Sequence, residues 1–121
     1  MRSSRGEIKI EEILIEAGLN FKEEYSFSDL VSSSGRPLRW RFDFAVFDDE
    51  GNLEFLIEYQ GIQHYTSKSC FGGAKGLARQ KYNDAQKRKY CLEHGYKLIE
   101  IPYWQEYMVD YDYIMKEAYN W

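Results

Sequence analysis

Residues 38–65 read LRWRFDFAVFDDEGNLEFLIEYQGIQHY. Two runs of alternating side chains flank DDEGN, a turn signal, so the stretch predicts two neighbouring strands. On the first, Leu38, Trp40, Phe42, Phe44 and Val46 alternate with Arg39, Arg41, Asp43, Ala45 and Phe47. On the second, Leu53, Phe55, Ile57 and Tyr59 alternate with Glu54, Leu56, Glu58 and Gln60. Side chains two apart share a strand face. Glu58 and Gln60 therefore point the same way, and Asp43 can join them if the strands pair. Carboxylates are depleted in strands, and burying an ion is unfavourable unless it is paired or bound to metal. Two readings follow. Asp43 pairs with Arg39 or Arg41 while Glu58 faces water on an edge, or the acids form a hard-oxygen site for Mg²⁺ or Mn²⁺.

The flanking sequence extends this pair into an α/β chain. Residues 4–18 predict a helix capped by Ser3 or Ser4, with Ile10, Ile13, Leu14 and Ala17 as its apolar stripe and Gly18 beyond its end. Glu7 falls in its first turn, where a carboxylate complements the helix dipole. Residues 20–27 predict a short strand with Phe21 and Tyr25 on one face. A polar loop, DLVSSSGRP, leads to the central strands. After a glycine-containing loop, a helix is expected from Lys75 to His94, with Leu77 or Ala78, Tyr82, Ala85 and Leu92 buried. A strand at 96–101 and a helix at 106–119, with Tyr107, Tyr111, Ile114, Met115 and Ala118 as its stripe, complete the order α-β-β-β-α-β-α. The helical crossover between the third and fourth strands makes them parallel.

Bulk properties narrow the class. The 121 residues suit one domain, 1–121, able to bury a core without disulfides. Two cysteines make no disulfide framework, no apolar run spans a membrane, and the first residues lack a secretory core. A cytoplasmic location is expected. The net charge of −4 argues against whole-domain basicity. Charge is polarised, however: residues 75–89 carry six Lys and Arg against one Asp, while Glu100, Glu106, Asp110, Asp112 and Glu117 make 100–117 acidic. The basic segment is either a phosphate-facing surface or a solvated helix face.

The set Glu7, Phe42-Asp43 and Ile57-Glu58-Tyr59-Gln60-Gly61, on an αβββαβ chain, resembles the PD-(D/E)XK (restriction-endonuclease-like) nucleases. The run Glu58-Tyr59-Gln60-Gly61-Ile62-Gln63-His64-Tyr65 is closer still to small phage-type endonucleases related to very-short-patch repair enzymes. FGG at 71–73, Asn83-Asp84 and LIEIPYW at 98–104 add to the likeness, which covers Glu7 to about Trp104. The resemblance implies a mixed sheet in a restriction-endonuclease-like core with a C-terminal helix, and Mg²⁺-dependent hydrolysis of DNA phosphodiesters. Asp43 and Glu58 would ligate the metal, with the Tyr59 carbonyl and Glu7 as further ligands. Gln60 stands where the family usually has lysine, and an amide cannot supply positive charge. Lys81 or Lys87 from the long helix, or His64 as general acid or base, are the candidates to make up for it.

Arg36, Arg39, Arg41, Lys75, Lys81 and Arg88 are the candidate contacts to the DNA backbone, and Tyr65, Tyr103 and Trp104 can stack on bases of unpaired or distorted nucleic acid. A domain of this size is expected to dimerise, or to recruit a partner protein, for double-strand cleavage. Three other readings compete. One is an inactive nucleic-acid-binding module that retains the nuclease fold, with Gln60 marking the loss of activity. Another is a zinc site from His64, Cys70, Cys91 and His94. The last is a partner-docking role for the acidic C-terminal segment.

Overall fold

The computed structural model describes residues 4–29, 35, 40–66 and 72–119, so Arg36, Arg39 and Cys70 lie outside the described residues. The order is α1 (Arg5–Glu16), β1 (Asn20–Tyr25), β2 (Phe42–Phe47), β3 (Leu53–Gln60), α2 (Gly73–His94), β4 (Leu98–Pro102) and α3 (Tyr111–Tyr119). Short 3₁₀ segments at Ile62–His64 and Tyr103–Met108 follow β3 and β4. The strands form one mixed sheet in the order β1-β2-β3-β4, antiparallel except for the parallel β3–β4 pair. The chain is thus an α+β protein with a mixed sheet and a C-terminal helix. Among the described residues no helix is long and apolar enough to cross a membrane.

Two apolar layers cover the sheet. On one side Ile10 and Leu14 of α1 and Ile114 and Met115 of α3 pack on Phe44, Val46, Phe55, Ile57, Ile99 and Ile101. On the other, Cys91 of α2 packs with Phe42, Ala45 and Leu56. Ser4 caps α1 through a capping box: its hydroxyl accepts from the Glu7 N–H and Glu7 accepts from the Ser4 N–H.

Four expectations are corrected. Phe21 and Tyr25 lie on opposite faces, Phe21 with the α1/α3 layer and Tyr25 with the α2 layer. The alternation breaks where Glu24 adopts φ 49° opposite Asp43, and across the same point Phe42 and Phe44 also switch layers. β2 starts at Phe42, so Trp40 and Arg41 precede it. In α2, Tyr82 at 61% and Leu92 at 83% leave the expected stripe for solvent, while Leu77 stays inside. The inner side carries Leu77, Gln80, Asp84, Lys87 and Cys91: Cys91 meets the core beside Phe42, and the polar members face charged groups. The expected helix at 106–119 is broken at Val109, and Asp110 caps α3 through Tyr113 N–H at 2.8 Å; Tyr107, 82% exposed, leaves the stripe.

The approach of α1 to β3 is set by Gly6. It is buried against the Tyr59 ring, and a Cβ built on it would lie 2.3 Å from ring carbons. The Tyr59 hydroxyl donates to Glu106, which also binds Arg5 at 3.0 Å and accepts from Lys9 through its carbonyl at 2.7 Å. The ring is therefore fixed at its far end. Gly6→Ala is expected to lower stability by about 1–2 kcal/mol. Overpacking of about 1–3 kcal/mol outweighs the gain in helix propensity of about 1 kcal/mol. Denaturant titration measures it, and adding Tyr59→Leu should remove the loss; a stabilised Gly6→Ala would disprove the contact.

Candidate metal and nucleic-acid site

The site forms where β2 and β3 diverge. They pair from Phe44–Ile57 toward the turn, and neither Phe42 nor Asp43 is in register with β3. Side chains take over the ladder there. Asp43 Oδ2 accepts from the Tyr59 N–H at 2.7 Å, and Glu58 Oε1 accepts from the Asp43 N–H at 3.2 Å. Each acid thus satisfies a backbone donor of the other strand. Among the described residues no donor reaches Asp43 Oδ1 or Glu58 Oε2.

Lys87 of α2 closes this arrangement. Its ammonium donates to Glu58 Oε1 at 3.2 Å and to the Arg41 carbonyl at 2.6 Å, and lies 5.3 Å from the centre of the Phe42 ring. A cleft of about 270 Å³ opens here, lined by Glu7, Asp43, Glu58, Tyr59, His64 and Lys87 among others. A buried carboxylate, Glu58, and a half-buried one, Asp43, face one ammonium, so when both are ionised their charge is only half compensated. Burial raises the Asp43 carboxyl to about 6; Glu7 adds to the rise, and the Tyr59 N–H, Lys87 and His64 oppose it. Burial and then the Asp43 charge raise Glu58 to about 8, against the pull of Lys87.

Among the described residues no group of three or more His, Cys, Asp or Glu side chains could hold a metal ion. The donor set is the pair of acids, with Glu7 on the same cleft but engaged in its helix cap. One or two carboxylates suffice for Mg²⁺, which keeps its waters and takes substrate phosphate oxygens. The excess negative charge and open carboxylate oxygens fit such an ion.

His64 is buried, with Nδ1 at 2.8 Å from Asp84 Oδ2. Burial raises the Asp84 carboxyl, yet hydrogen bonding and charge from His64, with help from Gln80 and Arg88, outweigh it and hold the group below its ordinary value. An ionised carboxylate only accepts, so Nδ1 carries a proton. Asp84 was missed as a site residue from sequence. The signal available was a carboxylate at helical spacing with Leu77, Gln80 and Cys91.

Gln60 is turned away from the acid pair. Its amide donates to Glu100 at 2.6 Å, its oxygen accepts from the Tyr65 hydroxyl, and it lines a second cleft of about 230 Å³ with His64, Tyr65, Lys81, Asp84 and Arg88. Of the basic candidates, Arg88 shares its Nε–H between both oxygens of Glu100 at 2.8–2.9 Å and Arg41 reaches Glu24 at 3.5 Å. Lys75 and Lys81 are exposed on α2. The zinc candidates do not converge: Cys91 is in the core, and His94 stacks on Tyr90 and pairs with Asp29 at 3.3 Å. In the acidic segment, Glu100, Glu106 and Asp110 all serve internal contacts.

No family model matches the chain. No solved structure matches it. It is similar to Uncharacterized protein 094L of Frog virus 3 (isolate Goorha), 48% identical over 54 residues, covering 43% of this chain and 35% of that protein. It is also similar to Uncharacterized protein 033L of Invertebrate iridescent virus 3, 46% identical over 48 residues, covering 39% of the chain and 25% of the relative. Uncharacterized protein 307L of Invertebrate iridescent virus 6 is 40% identical over 52 residues, 42% of the chain and 26% of the relative. The chain matches about a third or less of each relative's length.

The raised carboxyls fix the sign of a pH effect. An acid whose folded pKa exceeds its unfolded value contributes stability that is fully present below the unfolded value and lost as pH rises through the folded one. For Glu58 the window runs from about 4.5 to about 8. The metal-free melting temperature is expected to fall between pH 5 and pH 8.5. Glu58→Gln, which mimics the protonated acid, should flatten that fall. An equal slope in both proteins, measured by thermal melts in EDTA, would refute the charge imbalance.

Proposed function

We propose that this chain is a metal-dependent endonuclease hydrolysing DNA phosphodiesters, a member of the PD-(D/E)XK group that its motifs resemble. The observation that carries this reading is the half-compensated pair Asp43 and Glu58, with the Lys87 ammonium 3.2 Å from Glu58. Asp43 and Glu58, with the Tyr59 carbonyl as a further oxygen donor, would hold Mg²⁺ or Mn²⁺, while Glu7 lines the same cleft from its helix cap. Bound there, the ion supplies charge that polarises the scissile phosphate and acidifies a water.

The chain's own groups do the rest. Lys87 supplies the positive charge that Gln60 cannot, and its partly buried position strengthens its attraction for a phosphate oxygen. His64, oriented through Nδ1 by Asp84, takes or returns a proton at Nε2 within the same cleft. Gln60 acts at one remove, bracing Tyr65 and Glu100. Lys75 and Lys81 would meet the DNA backbone, and a second copy or a partner protein would bring the second strand's site.

A second reading, a nucleic-acid-binding module without catalysis, draws on one observation. Gln60 is committed to Glu100 and Tyr65 and so adds nothing to the acid pair.

The test is incubation of supercoiled, branched and single-stranded DNA with Mg²⁺ or Mn²⁺, beside EDTA controls. Cleavage is expected, with Asp43→Ala abolishing it. Lys87→Met, which keeps the stem over Phe42, should reduce kcat about 10²–10³-fold, the usual loss for one charge-stabilising donor. Cleavage surviving EDTA or Asp43→Ala would overturn the metal site; retained binding without cleavage of any substrate would favour the module.

A further inference from the structure

The parallel strands β3 and β4 end at the same edge of the sheet, and both lead into aromatic residues. Tyr65 follows the 3₁₀ turn after β3; Tyr103 and Trp104 follow Pro102 at the end of β4. The three rings touch one another. Tyr65 lies 4.7 Å from Trp104 and 5.7 Å from Tyr103 between ring centres, and Tyr103 lies 5.3 Å from Trp104. Yet Tyr65 is 40%, Tyr103 37% and Trp104 52% exposed. Large aromatic rings clustered on a surface are the kind of apolar patch that marks a binding site.

The tray is held in place. The Tyr65 hydroxyl donates to Gln60, the Gln60 amide donates to Glu100, and the Arg88 Nε–H donates to the same carboxylate. This chain accounts for the replacement at Gln60, since an amide can donate to Glu100 and accept from Tyr65 at once whereas an ammonium has no acceptor. The tray also borders the catalytic cleft: Tyr65 lines the second cleft, and His64 lines both. Along a strand rising roughly 3.3 Å per residue, Gln60 lies about 7 Å beyond Glu58. Arg88 pairs with Glu100 and His64 hydrogen-bonds Asp84, while Lys81, exposed on α2 and lining the same cleft, has no ion-pair partner among the described residues.

We propose that the Tyr65–Tyr103–Trp104 tray stacks an unpaired nucleobase next to the phosphate held at Asp43 and Glu58, with Lys81 on the adjoining phosphate. The preferred substrate is therefore DNA with an unpaired nucleotide beside the cleavage point, rather than a fully paired duplex. This rests on the endonuclease reading. In a paired duplex each base face is covered by its neighbours, so only an unstacked base has a face to offer. Stacking on aromatic rings tolerates any base, because every base has a π-face.

The test measures binding in EDTA, so that it does not depend on cleavage. Fluorescence anisotropy compares a labelled hairpin duplex carrying a two-nucleotide bulge with the same duplex fully paired. The full chain is expected to bind the bulged form about tenfold more tightly, consistent with stacking of about 1–3 kcal/mol per base. Trp104→Leu should remove most of that preference, and Trp104→Phe should keep it, which separates stacking from loss of fold. No preference in the wild type, or equal weakening of both ligands by Trp104→Leu, would overturn the proposal. So would self-association that Trp104→Leu abolishes in sedimentation, since the tray would then be a protein interface. Preference without cleavage in Mg²⁺ or Mn²⁺ would sink the nuclease and leave the tray; cleavage without preference would do the reverse.

Discussion

The reciprocal bonds between Asp43 and Glu58 organise the whole site. Two strands that part leave backbone N–H groups facing a gap, and each such group must find an acceptor. Here the acceptors are the two acids: Asp43 takes the Tyr59 N–H, and Glu58 takes that of Asp43. The bonds thereby hold two like charges in a buried place. The left-handed Glu24 opposite Asp43 belongs to the same distortion, and strain of this kind, of order 1–2 kcal/mol, tends to collect at functional sites.

The surrounding elements answer the charge that this geometry creates. α2 turns a polar stripe inward, placing Lys87 on Glu58 and Asp84 on His64. On the opposite side of the sheet, Gly6 lets α1 approach Tyr59, and Glu106 ties Arg5, Lys9 and Tyr59 to the segment after β4. Of the five acidic residues between 100 and 117, Glu100, Glu106 and Asp110 act as internal fasteners. The cleft is consequently built from long-range contacts, with α1, β2, β3 and α2 each contributing a wall.

Most of the architecture was legible in the sequence because periodicity is a local property. Alternation in FDFAVF and LEFLIEYQ, the cap at Ser4 and the glycine after His94 fix elements without reference to neighbours. The errors in the helices have two causes. Tyr82, Leu92 and Tyr107 are apolar at helical spacing, so pattern placed them inside. The structure exposes them because the inner face of α2 is occupied by ion pairs, and because Asp110 starts a new helix. Hydrophobic pattern locates a core, and it has no term for a buried polar site.

What the sequence determined by itself was the set of strands and helices and the presence of two acids where acids do not belong. Their spacing, two residues apart on a strand for Glu58 and Gln60, says which side chains share a face. It does not say where a strand parts from its neighbour, so where Gln60 and Lys87 lie relative to the two acids stays open. The tertiary structure settled that position. Gln60 and Glu58 lie on one strand, but Glu58 faces the gap beside β2, while Gln60 sits beside β4, within reach of Glu100. Lys87, 29 residues further along the chain, reaches Glu58 only because α2 crosses over the sheet.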